Sequence, residues 1–175
     1  NALVVLTNTS VGRHDTAIGT LTVRSNASVF LIADLSIGRL VNAVGHVLLT
    51  GGLLSLTNDD IWVGRQGTGD LVVSNGTVKA RSLFVGMSED GINTSAGTVT
   101  LAGGTTSISS NLTVGTALLC SGQVSVVGGQ LTVTNAAGTA ELAVAQGTLT
   151  LDKGTVVADN LLLMTNTGQF AFNGG

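Results

Sequence analysis

Gly67-Thr68-Gly69-Asp70-Leu71-Val72-Val73-Ser74-Asn75-Gly76-Thr77-Val78-Lys79-Ala80-Arg81-Ser82-Leu83-Phe84-Val85-Gly86 contains three short runs punctuated by glycine and asparagine. In each run every second residue is apolar: Leu71 and Val73, Val78 and Ala80, Leu83 and Val85. Side chains of a strand point to opposite faces with a period of two, so each run reads as a strand with one buried face.

The unit recurs along the chain. A glycine followed by apolar residues two and four positions later occurs at Gly19, Gly45, Gly69, Gly97, Gly122, Gly147 and Gly168, in steps of 26, 24, 28, 25, 25 and 21 residues. All fourteen of those alternate positions, from Leu21 and Val23 to Phe170 and Phe172, are apolar. A second marker stands seven residues after each glycine: Asn26, Gly52, Gly76, Gly104, Gly129, Gly154 and Gly175. A third segment resembles Leu-x-Val-Gly, as in Leu35-Ser36-Ile37-Gly38, Ile61-Trp62-Val63-Gly64, Leu83-Phe84-Val85-Gly86 and Leu112-Thr113-Val114-Gly115; it degrades at Leu142-Ala143-Val144-Ala145 and Leu161-Leu162-Leu163-Met164. We name these segments strand A (Leu-x-Val-Gly), strand B (Gly-x-Leu-x-Val) and strand C (after the second marker). On strand C the inward pairs read Leu54 and Leu56, Val78 and Ala80, Leu131 and Val133, Val156 and Ala158, with Ser28 and Thr106 as exceptions.

A five-residue strand cannot bury its apolar face alone. Stacking each repeat on the last pairs every main-chain group with the coil above or below at about 4.8 Å and lines up the inward residues as columns. The expected fold is therefore all-β: a parallel β-solenoid of about seven coils of roughly 25 residues, three strands per coil, forming one domain over 1–175. Loop-length variation is expected between strands A and B. An antiparallel sandwich competes, because Asn75-Gly76 and the Gly-Gly pairs suit two-residue hairpins. A sandwich needs neither the period nor the fixed offset.

Composition agrees. Glycine numbers 25, proline is absent, and charged residues make up 10 % against roughly 25 % in average soluble domains. Missing proline suits backbone hydrogen-bonded on both sides. The net charge of −3, with no basic run, excludes nucleic acid as an expected partner. No stretch approaches the ~20 apolar residues of a membrane span. Cys120 is alone, so it forms no internal disulfide. No signal peptide is legible, and the chain opens inside the strand-like Ala2-Leu3-Val4-Val5-Leu6. We read it as a mature product, or as an excerpt of or subunit in a longer array.

The quoted unit resembles the Gly/Thr-rich β-strand repeats of bacterial autotransporter passengers and related secreted surface proteins, over nearly the whole chain. The resemblance implies a right-handed parallel β-helix, outside the cell or on its surface. It leaves activity open: such repeats carry adhesins, matrix components and stalks, and similar helices host polysaccharide lyases and phage tailspikes.

Chemistry-bearing residues are sparse. Asp34, Asp60, Ser82, Asn111, Glu141 and Asn160 each precede strand A, where a corner ladder of side chains bonding neighbouring backbone is expected in preference to calcium or acid–base chemistry. Arg13, Arg39 and Arg65 follow the strand-A glycine in successive coils and should form a basic column, gripping an anionic glycan or a partner's carboxylates, or balanced by Asp15, Asp34 and Asp60. Trp62 and Phe84 take the outward position of strand A in adjacent coils, fit for packing against another chain or stacking on sugar. Interrupted Thr-x-Thr pairs (Thr20/Thr22, Thr98/Thr100, Thr148/Thr150) resemble an ice-binding array only in part. His14 and His46 match no zinc spacing. Sequons at Asn8, Asn26, Asn75, Asn93 and Asn111 arise easily in so Ser/Thr-rich a chain.

The ends read as uncapped, with Leu3 and Val5 at one and Phe170 and Phe172 at the other as end-to-end contacts. The expectation is a non-catalytic extracellular structural or adhesive solenoid, forming a fibre, stalk or surface array with no metal, cofactor or catalytic residue. Its partners would be copies of itself or flanking repeats of the same chain, with surface glycans or a host cell-surface protein besides. The alternative is a glycan-binding or polysaccharide-cleaving module.

Overall fold

The computed structural model describes residues 2–88, 93–116, 119–164 and 167–174. The marker Gly175 lies outside them. Among the described residues every regular element is a strand, and every strand pairing is parallel. The strand-B glycines stand in one row, Gly19 beside Gly45, then Gly69, Gly97, Gly122, Gly147 and Gly168. That row excludes the sandwich. The chain is a β-solenoid of about seven turns at about 25-residue spacing.

Three columns of strands make its faces. Strand A comprises Thr9–Val11, Leu35–Ile37, 61–63, 83–85, Asn111–Val114, Glu141–Val144 and Asn160–Leu163. Strand B runs from Ile18–Val23 up to Gly168–Phe172, and strand C from Ala2–Leu6 up to Thr155–Ala158. In the middle coils the corners are tight enough that Val44–Val63 and Thr68–Val85 each run through B, C and A as one extended segment, with the pairing register shifting at the corners after Leu49, Thr50 and Leu56.

The interior is the sum of the inward columns. Leu35, Ile61, Leu83 and Leu112 stack on strand A, and Val47, Leu71, Val99 and Val124 on strand B, all buried. On strand C the structure resolves the irregularity at Ser28. There is one more residue between Val23 and Ser28 than between their partners Leu49 and Leu53. Asn26 is left-handed, φ 65°, as is its counterpart Gly52, φ 78°, but Gly52 leads directly to Leu53 whereas Ala27 stands between Asn26 and Ser28. The following strand is thereby moved by one residue, so Val29 and Leu31 point inward and Phe30 outward.

Thr106 remains in the core column between Val78 and Leu131, fully buried, and its hydroxyl has no hydrogen-bond partner among the described residues. An orphaned buried hydroxyl costs its desolvation. Thr106→Val keeps the shape and removes the hydroxyl; it is expected to stabilise the protein by about 1–2 kcal/mol. The check is a raised denaturation midpoint at unchanged slope in urea.

Loop length varies between A and B, as expected, but also between C and A. Residues 134–140 separate Gln130–Val133 from Glu141–Val144, whereas Asp159 alone separates Thr155–Ala158 from Asn160–Leu163. The long loop is held by side chains. Asn135 Oδ1 accepts from the Ala137 and Thr139 amides at 3.0 and 3.1 Å, and Asp159 Oδ2 of the next coil accepts from the Asn135 and Ala140 amides at 2.9 and 3.2 Å.

Candidate functional site

Asp34, Asp60 and Asn160, before strand A, work as corner fasteners. Asp34 Oδ1 accepts from the Asp60 amide at 3.3 Å, and Asn160 Nδ2 donates to the Ala140 carbonyl at 3.2 Å. Asp60 is buried and meets Arg81 in a two-point pair, Nε to Oδ1 at 2.9 Å and Nη2 to Oδ2 at 2.7 Å. The pair forms because Ser82 lies in register over Asp60, which brings the preceding residue across the corner. The Asp60 hydrogen bond, then its charge, holds the Arg81 guanidinium above its ordinary pKa.

Trp62 and Phe84 are in register and stacked, centroids 4.3 Å apart at 28°. Both are half-buried. The Arg65 guanidinium lies over the Trp62 ring, 4.7 Å from its centroid, while Nη1 donates to Ser36 Oγ at 3.1 Å. Ser36 precedes Trp62 in the column and Phe84 follows it. Arg65, Trp62 and Phe84 therefore form a layered stack along the rod, with cation–π and offset-stacking contributions.

The lower part of the arginine column differs. Main-chain bonds set the arginines one coil apart, from the Arg39 amide to the Gly12 carbonyl and from the Arg65 amide to the Gly38 carbonyl. Arg13 and Arg39 line a cleft of about 420 Å³ with Asn8 and Ser10. The three acids on hand to balance them are engaged elsewhere: Asp15 accepts from Asn42 Nδ2 at 3.0 Å, Asp34 from the Asp60 amide, and Asp60 from Arg81. Among the described residues neither Arg13 nor Arg39 forms an ion pair. Like charges at this spacing repel by about 1 kcal/mol in water.

At the ends, Leu3 and Val5 are exposed at 68 % and 59 %, and their partners in register are Ser28 and Phe30. They therefore belong to the outer face, where Phe30 and Ile32 continue an apolar patch. The residues in line with buried Val29 and Leu31 are Val4 and Leu6, which sequence reading missed because it did not register the insertion at Asn26. At the other end Phe170 and Phe172 join Leu149, Leu151, Val156 and Leu161 around an apolar hollow of about 270 Å³.

His46 Nδ1 lies 3.6 Å from Asp70 Oδ2 on the outer side of strand B. Cys120 is buried, its sulfur accepting from the Ser88 amide at 3.3 Å. Among the described residues no three His, Cys, Asp or Glu side chains converge as a metal-ligand set. Among the described residues no helix is long and apolar enough to cross a membrane. No protein family, curated protein or solved structure gives a significant match to this chain.

Proposed function

We propose that this solenoid is a non-catalytic structural or adhesive element, displayed outside the cell, that builds a fibre, stalk or surface array through end-to-end and lateral contacts. The observation that carries the reading is the chemistry of its two end faces. One presents Ala2–Leu6, exposed throughout, with Val4 and Leu6 in line with the core. The other presents Leu161 and Phe172, 49 % and 64 % exposed around the apolar hollow. Both are sheet edges with apolar column ends, the surface that the parallel ladder uses between every pair of coils inside the molecule. Such a face accepts another coil, from the same chain or from a second copy, and head-to-tail joining without closure gives a filament.

Two further observations support it. The acids Asp34, Asp60 and Asp159 are engaged as fasteners rather than set around a common centre. The outer patch of Leu3, Val5, Phe30 and Ile32 and the Arg65-Trp62-Phe84 stack offer lateral contacts. Placement outside the cell rests on the resemblance of the Gly/Thr-rich repeat to surface-protein repeats of the autotransporter type.

Sedimentation velocity over a range of concentrations tests the proposal. The polypeptide is expected to form concentration-dependent assemblies, visible as rods by negative-stain microscopy and shifted toward monomer by Val4→Lys or Phe172→Glu. A monodisperse monomer at every concentration would overturn it.

A further inference from the structure

We propose that the cleft of Asn8, Ser10, Arg13 and Arg39 binds the anionic groups of a linear acidic polysaccharide laid along the rod axis. Four observations converge on it. The lining is polar throughout, with two guanidinium groups, an amide and a hydroxyl around about 420 Å³. All four can donate hydrogen bonds, which suits an acceptor-only carboxylate or sulfate. Neither arginine has an ion-pair partner among the described residues, and Asp15, Asp34 and Asp60 are engaged with Asn42, the Asp60 amide and Arg81 respectively. Among the described residues no carboxylate therefore pairs with either guanidinium group.

Comparison with the next coil shows how Arg39 differs from Arg65. Ser10 and Ser36 are in register, so Ser10 stands to Arg39 as Ser36 stands to Arg65. Arg65 donates to Ser36 and lies over Trp62. The residue corresponding to Trp62 beside Arg39 is Ser36, which is small and buried. Arg39 therefore has no aromatic ring to lie over.

The shape of the ligand follows from the column. Arginines one coil apart, at about 4.8 Å per coil, meet successive anionic groups of a polymer running along the rod. Arginine binds such groups by two parallel hydrogen bonds. A protein partner is disfavoured because the lining offers none of the apolar anchor points on which protein interfaces depend. The inference does not depend on whether rods join end to end.

Affinity electrophoresis and calorimetry at low salt test it, with polygalacturonate as carboxylate probe, heparin as sulfate probe and dextran as neutral control. Binding to one or both acidic polymers is expected, weakening as salt is raised; which polymer binds identifies the anionic group. Arg13→Ala and Arg39→Ala should each weaken binding about tenfold, and the double variant about a hundredfold. Arg24→Ala with Lys153→Ala removes two exposed charges at the strand B to strand C corner and should leave affinity within about twofold. Should alanine unsettle the coil, Arg13→Gln with Arg39→Gln carries the same test, read beside an unchanged denaturation midpoint. The assignment is overturned by absence of binding to both polymers, by equal loss in the charge-matched control, by equal affinity for dextran, or by polyglutamate binding as tightly as the polysaccharides.

Discussion

Gly69→Ala is expected to destabilise the solenoid by about 3 kcal/mol or more, although the backbone at Gly69 is not in the left-handed region. The reason is space. A methyl group there would press on the Gly64 nitrogen and sit 2.6 Å from the Ile37 carbonyl oxygen. Those two atoms are partners: the Gly64 amide donates to the Ile37 carbonyl at 2.8 Å. The methyl would be driven into a main-chain bond that joins two coils where strand A turns into strand B. Neither side can yield cheaply, because each belongs to a ladder continued above and below. Gly138→Ala makes the complementary case. Gly138 has φ +67° and nothing within 4 Å of an added Cβ. It should cost only the left-handed penalty, about 1–2 kcal/mol. Urea denaturation of the two variants separates crowding from conformational strain. If Gly69→Ala cost no more than Gly138→Ala, close approach of main chains would not be what keeps the glycine row.

That row is also why the fold was legible. A solenoid repeats its steric problem at every coil, so the same solution recurs at Gly19, Gly45 and Gly69, and the period states which residues are neighbours. The adjacency of Trp62 and Phe84, and the one-per-coil spacing of Arg13, Arg39 and Arg65, followed from the period alone. Other features were hidden for definite reasons. A single extra residue near Asn26 exchanges the faces of strand C in one coil, and no side-chain pattern in so short a strand outweighs the fixed offset seen elsewhere. The pairing of Arg81 with Asp60 was also missed. It depends on a side chain reaching across a corner, although the alignment of Ser82 with Asp60 was a usable signal. Because that pairing and the engagement of Asp15 and Asp34 were not legible, the sequence left open whether acids neutralise the arginine column. The geometry shows them turned to other partners.

Leu83→Ala should cost about 3–5 kcal/mol, the upper part of the range for a leucine removed from a core. Leu83 is fully buried and in register between Ile61 and Leu112. A cavity there cannot close by collapse, because the coils on both sides are held apart by main-chain bonds at fixed spacing. The full cavity term therefore adds to the lost transfer energy. Leu161 occupies the same column three coils further on, past Leu112 and Leu142, but is 49 % exposed. In a free rod Leu161→Ala should cost only about 1 kcal/mol, since about half of the side chain is already in water. The contrast also tests the proposed role. Where rods stack end to end, the Leu161 face becomes interior and its substitution should approach the cost of Leu83→Ala as protein concentration rises. Leu83→Ala should keep the same cost at every concentration. Thermal unfolding of both variants at several concentrations reads this out. A cost for Leu161→Ala that stays near 1 kcal/mol at the highest concentration would show that this face meets nothing.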